Sequence, residues 1–414
     1  MKKLVLLVCV LACTAAAGLL HHSGRLDRTP PRIELQVPDG PLSGDVAVEI
    51  NVADLTPGLS EVRLSVDDGP PQRLDIDPSG HTTWTWPGGP GRPPGPHTLR
   101  VQATDSAWKP NTAELSIQRT TDDQPPELRF KLVPDRPAQG TVAALFVWAD
   151  EPLSSVQIDG LDQTRPAHPL QDGGYRALLG IGVTTPAEPA QLVLQASDAL
   201  GNTTACTVPV EVTRTDFPRG GYIRLSRKQV KARTDAEALA AMRAARTGAY
   251  TFVDPVQHWT GPATRPVQGR RTSRFGRYRT YSDGRRKHHL GTDLANITGT
   301  PVHAALSGVV RAAGWQHLFG NAVIVHHGQG LTTSYNHLSA IDVTEGDPIE
   351  QGQVVGKLGS TGQSTGPHLH WGMQVGEVEV DPERWPDHAF SPSALGLTGE
   401  AATRCSTRSG PSAP

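Results

Sequence analysis

Aromatic residues make up only 5% of this 414-residue chain, and cysteine occurs four times. Cys9 and Cys13 lie in an apolar N-terminal run, which leaves Cys206 and Cys405 for everything after it. So few cysteines exclude a disulfide-dense scaffold, and no spacing among them suits a cysteine-ligated metal. Cys206 sits in a strand-like run and Cys405 in a polar tail. A bridge between them stays open, but two inert thiols are the expectation. An excess of charge of one sign is also missing: 39 basic against 41 acidic residues give a formal net charge of -2, so nothing draws the chain in bulk to nucleic acid. What is abundant is glycine (43) and proline (36), beside a hydrophobic fraction of 37%. That mixture argues against long helical bundles and for short strands joined by tight turns. The length suggests two or three domains at ~150 residues each.

The N-terminus reads Met1-Lys2-Lys3, followed by an uncharged apolar run from Leu4 to Leu20 that includes Ala15-Ala16-Ala17. A basic start, an apolar centre and a small-residue end form an export signal, with cleavage after Ala17. At ~17 residues the run also reaches the lower limit for crossing a bilayer, so an uncleaved anchor serves as well. Val10-Leu11-Ala12-Cys13 resembles a lipoprotein cleavage box only loosely. Each alternative places the remainder outside the cytoplasm, in the periplasm or cell envelope, with residues 1–20 as signal peptide or membrane anchor.

After a polar linker, the chain repeats itself. Val37-Pro38-Asp39-Gly40-Pro41 returns as Val133-Pro134-Asp135-Arg136-Pro137, and Val52-Ala53-Asp54 as Trp148-Ala149-Asp150. Leu59-Ser60-Glu61-Val62 returns as Leu153-Ser154-Ser155-Val156, and Val101-Gln102-Ala103-Thr104-Asp105 as Leu194-Gln195-Ala196-Ser197-Asp198. Each unit is about one small domain long. Val46, Val48, Ile50 and Val52 alternate with Ala47, Glu49 and Asn51, which puts four apolar side chains on one face of a strand. Asp68-Gly69, Asp159-Gly160 and Gly201-Asn202 punctuate the pattern as turns. Residues 31–119 and 120–215 accordingly look like two bacterial immunoglobulin-like β-sandwich modules. Such modules serve as spacers or as surfaces for cell-envelope protein partners, and neither holds a catalytic constellation.

From residue 216 the character changes. Asp235 to Arg246 is rich in helix formers, with acid early and base late. Residues 216–250 therefore read as a helical linker ending near Gly248. A β-rich domain over 251–396 follows, then a Ser/Thr/Gly/Pro-rich tail, 397–414, expected to be disordered. The fold class expected for the whole chain is mainly β.

Histidine gathers in that third region, where ten of the sixteen fall between His288 and His388. His289-Leu290-Gly291-Thr292-Asp293 spaces an imidazole and a carboxylate four residues apart. An extended strand would separate them by ~13 Å at ~3.3 Å per residue, too far for two zinc bonds of ~2.0–2.2 Å. If both bind one ion the chain must turn, and Gly291 permits it. His368-Leu369-His370 lies in a run that alternates like a strand. Both imidazoles then share a face ~6.6 Å apart, one able to bind metal while the other acts beside it. Asn336-His337-Leu338-Ser339 adds a third histidine after a strand-like stretch.

These patterns do not stand alone. Thr272-Ser273-Arg274-Phe275-Gly276 precedes His289 to Asp293. Gly299-Thr300-Pro301-Val302, Gly308-Val309-Val310 and Gly320-Asn321-Ala322-Val323-Ile324 lead to His337-Leu338-Ser339. Gly352-Gln353-Val354-Val355-Gly356, Gly359-Ser360-Thr361-Gly362 and Gly366-Pro367 lead to His368-Leu369-His370. In this order, from about Trp259 to Asp381, the chain resembles the lysostaphin-like (LytM-type) zinc endopeptidases of peptidoglycan. The resemblance implies Zn2+ held by His289, Asp293 and His370, with His337 and His368 as the two catalytic histidines. It implies hydrolysis of peptide cross-links between peptidoglycan stem peptides through a zinc-bound water, in a groove lined by turns such as Gly359 to Gly366. A non-catalytic wall-binding regulator of another hydrolase is the alternative, but it calls for missing ligands, and all five positions are filled.

The neighbouring candidates have plainer readings. His288 is set aside because Gly291 and Asp293 fix the register on His289. His326 and His327 are expected to be structural, and His303, His317 and His388 to serve the surface or packing. Tyr278 or Tyr281 could reach a substrate oxyanion, as tyrosines do in related enzymes. Nine basic residues from Arg265 to Lys287, with Asp283 the lone acid among them, form either a solvated face or a rim attracting anionic wall polymer. No nucleic-acid fold accompanies them.

Overall fold

A computed structural model of the protein describes residues 27–54, 58–89, 92–171, 173–386 and 390–406. The N-terminal segment expected as signal or anchor, His388 and residues 407–414 lie outside them. The chain divides into two compact units, Met1–Pro125 with Ala199–Asn202 and Pro126–Asp198 with Thr203–Pro414. As the alternating patterns predicted, it is mainly β.

In the first unit, strands Arg32–Gln36, Val46–Ala53 and His81–Trp86 form one sheet. Gln72–Leu74, Leu59–Val66, Gly95–Asp105 and Thr112–Thr121 form the other. The two-residue period turns Val48, Ile50 and Val52 inward, where they meet Val62, Leu64, Leu99 and Val101 of the opposite sheet. Val46 is only partly buried.

The second unit contains another sandwich. Its five-stranded sheet is His168–Pro169, Tyr175–Ile181, Thr141–Ala149, Leu128–Val133 and Thr403–Arg404. Its four-stranded sheet is Gln163–Pro166, Leu153–Gly160, Pro189–Asp198 and Thr203–Glu211. Two expectations fail here. The segment 397–414 is not wholly irregular: Thr403–Arg404 pairs with Arg129 and Phe130, adding a strand to the sheet's edge. Nor are Cys206 and Cys405 inert thiols, because they form a disulfide closing 199 residues of chain. Strand Thr203–Glu211 alternates strictly and turns Cys206 inward, while the added edge strand delivers Cys405 to the same core. The bridge therefore staples one sheet to the other, through a partner no local pattern reveals.

The remaining domain is built on an eight-stranded sheet ordered Arg270–Ser273, Thr292–Ala295, Leu369–Val375, Leu331–Leu338, Gly320–Gly328, Gly308–Gln316 and Pro348–Ile349, with Val378–Val380 beside Leu369–Val375. Leu331–Leu338 is buried at every position because both sheet faces are covered. Val323, Val325 and Tyr335 enter one core. Leu331, Met373 and Val375 enter another, shared with Val142, Phe146 and Leu178 of the second sandwich. The sandwich and this domain thus bury each other's apolar surface. Residues 216–250 hold more than a helix: strand Arg219–Ile223, then helices α1 (Arg227–Ala232) and α2 (Ala236–Tyr250). Ser226 and Asp235 cap the two helices. Ala249 and Tyr250 pack on Ile324.

His326 and His327 serve this core, as expected. His327 is fully buried, its Nδ1 2.8 Å from the Ser307 carbonyl and its Nε2 2.8 Å from the Thr333 hydroxyl. Burial pushes its pKa down to about 3 and that of His326 to about 4. Both stay neutral in the folded protein while the unfolded chain takes up protons below its ordinary histidine pKa. Stability is then full above pH ~6.5 and falls toward pH ~4, by ~1.4 kcal/mol per pH unit for each histidine. Urea titrations across that range should show His327→Gln losing stability less steeply than the parent. Parallel curves would refute the assignment.

Candidate metal centre and active-site groove

Register brings the site together. Thr292–Ala295 and Leu369–Val375 are antiparallel neighbours with Asp293 directly opposite His370. On the other flank of the same strand, Asn336 lies opposite His370, and His337 follows it. Cross-strand partners place their Cβ atoms ~4.5–5.5 Å apart, so residues distant in sequence meet. His289 comes from the loop before Thr292, pinned by its backbone N–H donating to Arg277 O and its carbonyl accepting from Gly276 N.

Three ligand atoms converge. His370 Nδ1 is 2.9 Å from Asp293 Oδ1, and His289 Nε2 is 3.0 Å from both of them. The Arg274 carbonyl, 3.1 Å from His289 Nδ1, can only accept, so the proton sits on Nδ1 and Nε2 presents a lone pair. A lone pair and a carboxylate oxygen face each other in a nearly buried place. Such an arrangement wants a cation between them. Two nitrogens and one oxygen are also the donor set of a catalytic zinc that keeps a further position open. The residues fit a divalent ion.

Burial would raise the Asp293 carboxyl, but the facing His289 and His370 imidazoles outweigh it and hold the group well below the usual carboxylate range. Burial pushes His370 down to about 4 despite its bond to Asp293. Asp293 Oδ2 accepts from Arg279 Nη2 at 2.8 Å, which fixes the carboxylate plane. Neither reading of the basic stretch singled out Arg279. Arg279 lies in strand Tyr278–Tyr281, but nothing local says which acid it will meet. Of the other basic residues, Arg271 and Arg265 approach Glu383 at 2.7 and 3.7 Å, and Arg285 approaches Asp283 at 3.7 Å.

His337 and His368 flank the three, their rings 4.9 Å apart. His337 Nδ1 faces the Thr361 carbonyl at 2.8 Å and His368 Nδ1 the Gly366 carbonyl at 2.8 Å, so each keeps its proton on Nδ1 and an accepting Nε2. His368 Nε2 lies 3.9 Å from Asp293 Oδ1. Burial, together with His370 and His368, pushes His337 down to about 3, leaving a neutral imidazole. Its backbone adopts φ 65°, a left-handed conformation uncommon outside glycine, with its N–H donating to Phe319 O at 2.8 Å. The structure brings all five expected residues to one place.

Gly291 is needed for a different reason than expected. Its φ lies outside the left-handed region, so no glycine-only turn is made there. A Cβ would instead lie 2.6 Å from His370 Cε1 and 2.7 Å from Trp371 O. Gly291→Ala should push His370 off the other ligands and weaken metal affinity ~10–100-fold, the range for a disturbed ligand support. A competition titration with a zinc chelator measures this, and unaltered affinity would refute the steric account.

Of the other candidates, His288 and Tyr281 line the same cavity without joining the five. His288 Nδ1 is bonded to the Gly276 carbonyl at 2.7 Å, His303 Nδ1 to that of Gly352 at 2.8 Å and His317 Nε2 to that of Ala232 at 2.6 Å. Tyr278 packs on His288. Tyr281 lies under the Arg233 guanidinium, 4.1 Å from its ring centre. The described contacts join neither tyrosine to the five.

The centre opens into a cavity of about 770 Å³, lined also by Gln363, Thr365 and Gly366 of the glycine-rich turn. The segment 216–250, which looked like a connector, supplies another wall. Strand Arg219–Ile223 runs parallel to Tyr278–Tyr281. Gln229 Nε2 donates to Ser364 O at 3.2 Å, and Arg233 Nε to Gln363 Oε1 at 2.8 Å. Arg243, Arg246 and Tyr250 of α2 also line the cavity.

The β-sheet groove thus carries a two-histidine, one-carboxylate cluster flanked by two further oriented histidines. Residues 287–382 match the model of Peptidase family M23, and the chain carries a domain of that family. A DD-carboxypeptidase/endopeptidase, Mpg, of Neisseria meningitidis serogroup B is 45% identical over 94 residues, 23% of this chain and 22% of that protein. The peptidoglycan DD-endopeptidase ShyC of Vibrio cholerae is 39% identical over 118 residues, 28% of this chain and 26% of that one. The chain thus spans only about a quarter of the length of these relatives. A crystal structure of a peptidase M23 from Pseudomonas aeruginosa aligns over 62% of this chain and 97% of its own, with 26% identity and a TM-score of 0.45.

Proposed function

We propose that the protein is an exported zinc metalloendopeptidase that hydrolyses peptide cross-links of bacterial peptidoglycan. One observation carries this reading: His289, Asp293 and His370 converge beside two histidines whose Nδ1 protons are tied to backbone carbonyls. The relatives' names, which include peptidoglycan DD-endopeptidases, support the substrate class. The Cys206–Cys405 bridge supports an oxidising compartment outside the cytoplasm, with residues 4–20 as signal or inner-membrane anchor.

Zinc, held by His289, Asp293 and His370, would supply Lewis-acid activation of water and of the scissile carbonyl. The chain's own residues do the rest. Arg279 and the Arg274 carbonyl hold Asp293 and His289 in their ligating poses. His337, neutral and with an accepting Nε2, takes a proton from the attacking water. That proton goes on to the leaving amine by way of His368, whose Nδ1 is fixed by Gly366 and whose accepting Nε2 relays it. Gln363 and Thr365 line the groove that receives the extended peptide.

Digestion of purified sacculi by the zinc-loaded protein, followed by mass spectrometry of the muropeptides, tests the reading. New termini within cross-links are expected without chelator and none with it. An unaltered muropeptide profile in both arms would overturn it.

A further inference from the structure

Helix α2 lies outside the family match, yet its Arg246 reaches the groove. The guanidinium stacks over Phe319 at 3.9 Å from the ring centre, and Phe319 lies 6.3 Å, centre to centre, from the ring of the metal-ligand candidate His370. Nη1 donates to Gln316 Oε1 at 2.5 Å and to Asn336 Oδ1 at 3.3 Å, and Nη2 donates to the Tyr250 hydroxyl. Every one of these acceptors is neutral. Among the described residues no carboxylate lies within ion-pair distance of Arg246, and Nε–H has no acceptor. Glu379 lines the same cavity and feels the charge, but does not pair with it.

A part-buried guanidinium whose hydrogen bonds all go to neutral groups is costly, and proteins seldom keep one unless something anionic arrives. Nε and Nη2 share one edge of the guanidinium plane, the edge that takes a carboxylate through two parallel bonds. Tyr250 takes one of the two Nη2 hydrogens, and Nε–H has no acceptor among the described residues. The opposite end is anchored by Gln316 and Asn336, so the fork is held rigidly. Asn336 in turn donates to His370 O at 3.0 Å, tying the fork to the ligand strand.

Accepting the hydrolase reading above, we infer that Arg246 is an anionic subsite of the groove, which holds a free carboxylate of the peptide substrate within about three residues of the scissile amide. The spacings through Phe319 put the guanidinium at most about three residues of extended peptide, ~3.3 Å each, from the His370 ring. The substrate class is thereby narrowed to peptides bearing a carboxylate near the cut bond, as against uncharged bridges.

The test uses two peptides that differ only in a free carboxylate or a carboxamide three residues from the scissile bond. The parent protein should favour the acid ~10–100-fold in kcat/KM, as expected for a charged hydrogen-bonded pair. Arg246→Gln should bring the acid-to-amide ratio to near one, and Arg246→Lys, a point charge without the fork, to an intermediate value. Thermal melting checks that each variant is folded. Should Arg246→Gln fail to fold, the ratio in Arg246→Lys decides alone. A parent that treats both peptides alike, or variants that slow both equally, would overturn the subsite. Calorimetry on chelator-treated protein separates this from failure of the hydrolase reading. Preferential binding of the acid without turnover leaves the subsite standing and ends the hydrolase. Equal binding of the two ends the subsite, whatever the sacculus digest gives.

Discussion

His289→Ala is expected to empty the metal centre. The parent should retain about one zinc per chain after dialysis and the variant close to none, with turnover on sacculi falling by more than ~10²-fold, since loss of a mere ligand support already costs ~10–100-fold. The reason is geometric. His289 Nε2 is the lone pair that closes the triangle with His370 Nδ1 and Asp293 Oδ1. Without it the ion keeps one imidazole and one carboxylate. Full occupancy in the variant, measured by metal analysis, would refute the ligand role and leave His288 to be reconsidered, although its Nδ1 is already committed to the Gly276 carbonyl.

His337→Ala should separate binding from chemistry. The ring stands 6.1 Å from His370, centre to centre, and is no member of the ligand triangle, so zinc content should be preserved. The neutral proton acceptor is lost, and kcat should fall ~10²–10⁴-fold, the usual weight of general acid–base catalysis. Alanine also inherits a left-handed backbone at φ 65°. His337→Asn tolerates that conformation better and should lose as much activity with less cost in stability. Zinc-loaded His337→Asn that digests sacculi at the parent rate would remove His337 from the mechanism.

The pair Asp293 and His370 shows how far local pattern reaches. The HxGxD and HxH motifs drew attention to both residues, and the family resemblance made them candidate ligands. What placed them in contact was the register between Thr292–Ala295 and Leu369–Val375, a property of two strands far apart in the chain. Gly291 makes the same point at smaller scale. The spacing called for a turn that Gly291 permits, whereas the structure needs an absent methyl beside His370. Arg279 and Arg246 went unnoticed because a single arginine has no period and no spacing to betray it. The Cys206–Cys405 bridge was misjudged because its halves lie in elements that only the folded sandwich makes adjacent.

By itself, then, the order of amino acids determined which stretches become strands, through the two-residue alternation of apolar side chains, and, through the family resemblance its motifs carry, which histidines and carboxylate are candidates for the centre. The tertiary structure alone decided that the supposed connector walls the groove, which arginine steadies Asp293, and which cysteine meets which. The physical division is plain. Backbone geometry ties near neighbours to one face or the other, so local direction is written in the chain, whereas contacts between remote segments depend on strand register and on how faces pack, and these are settled only when the whole core closes.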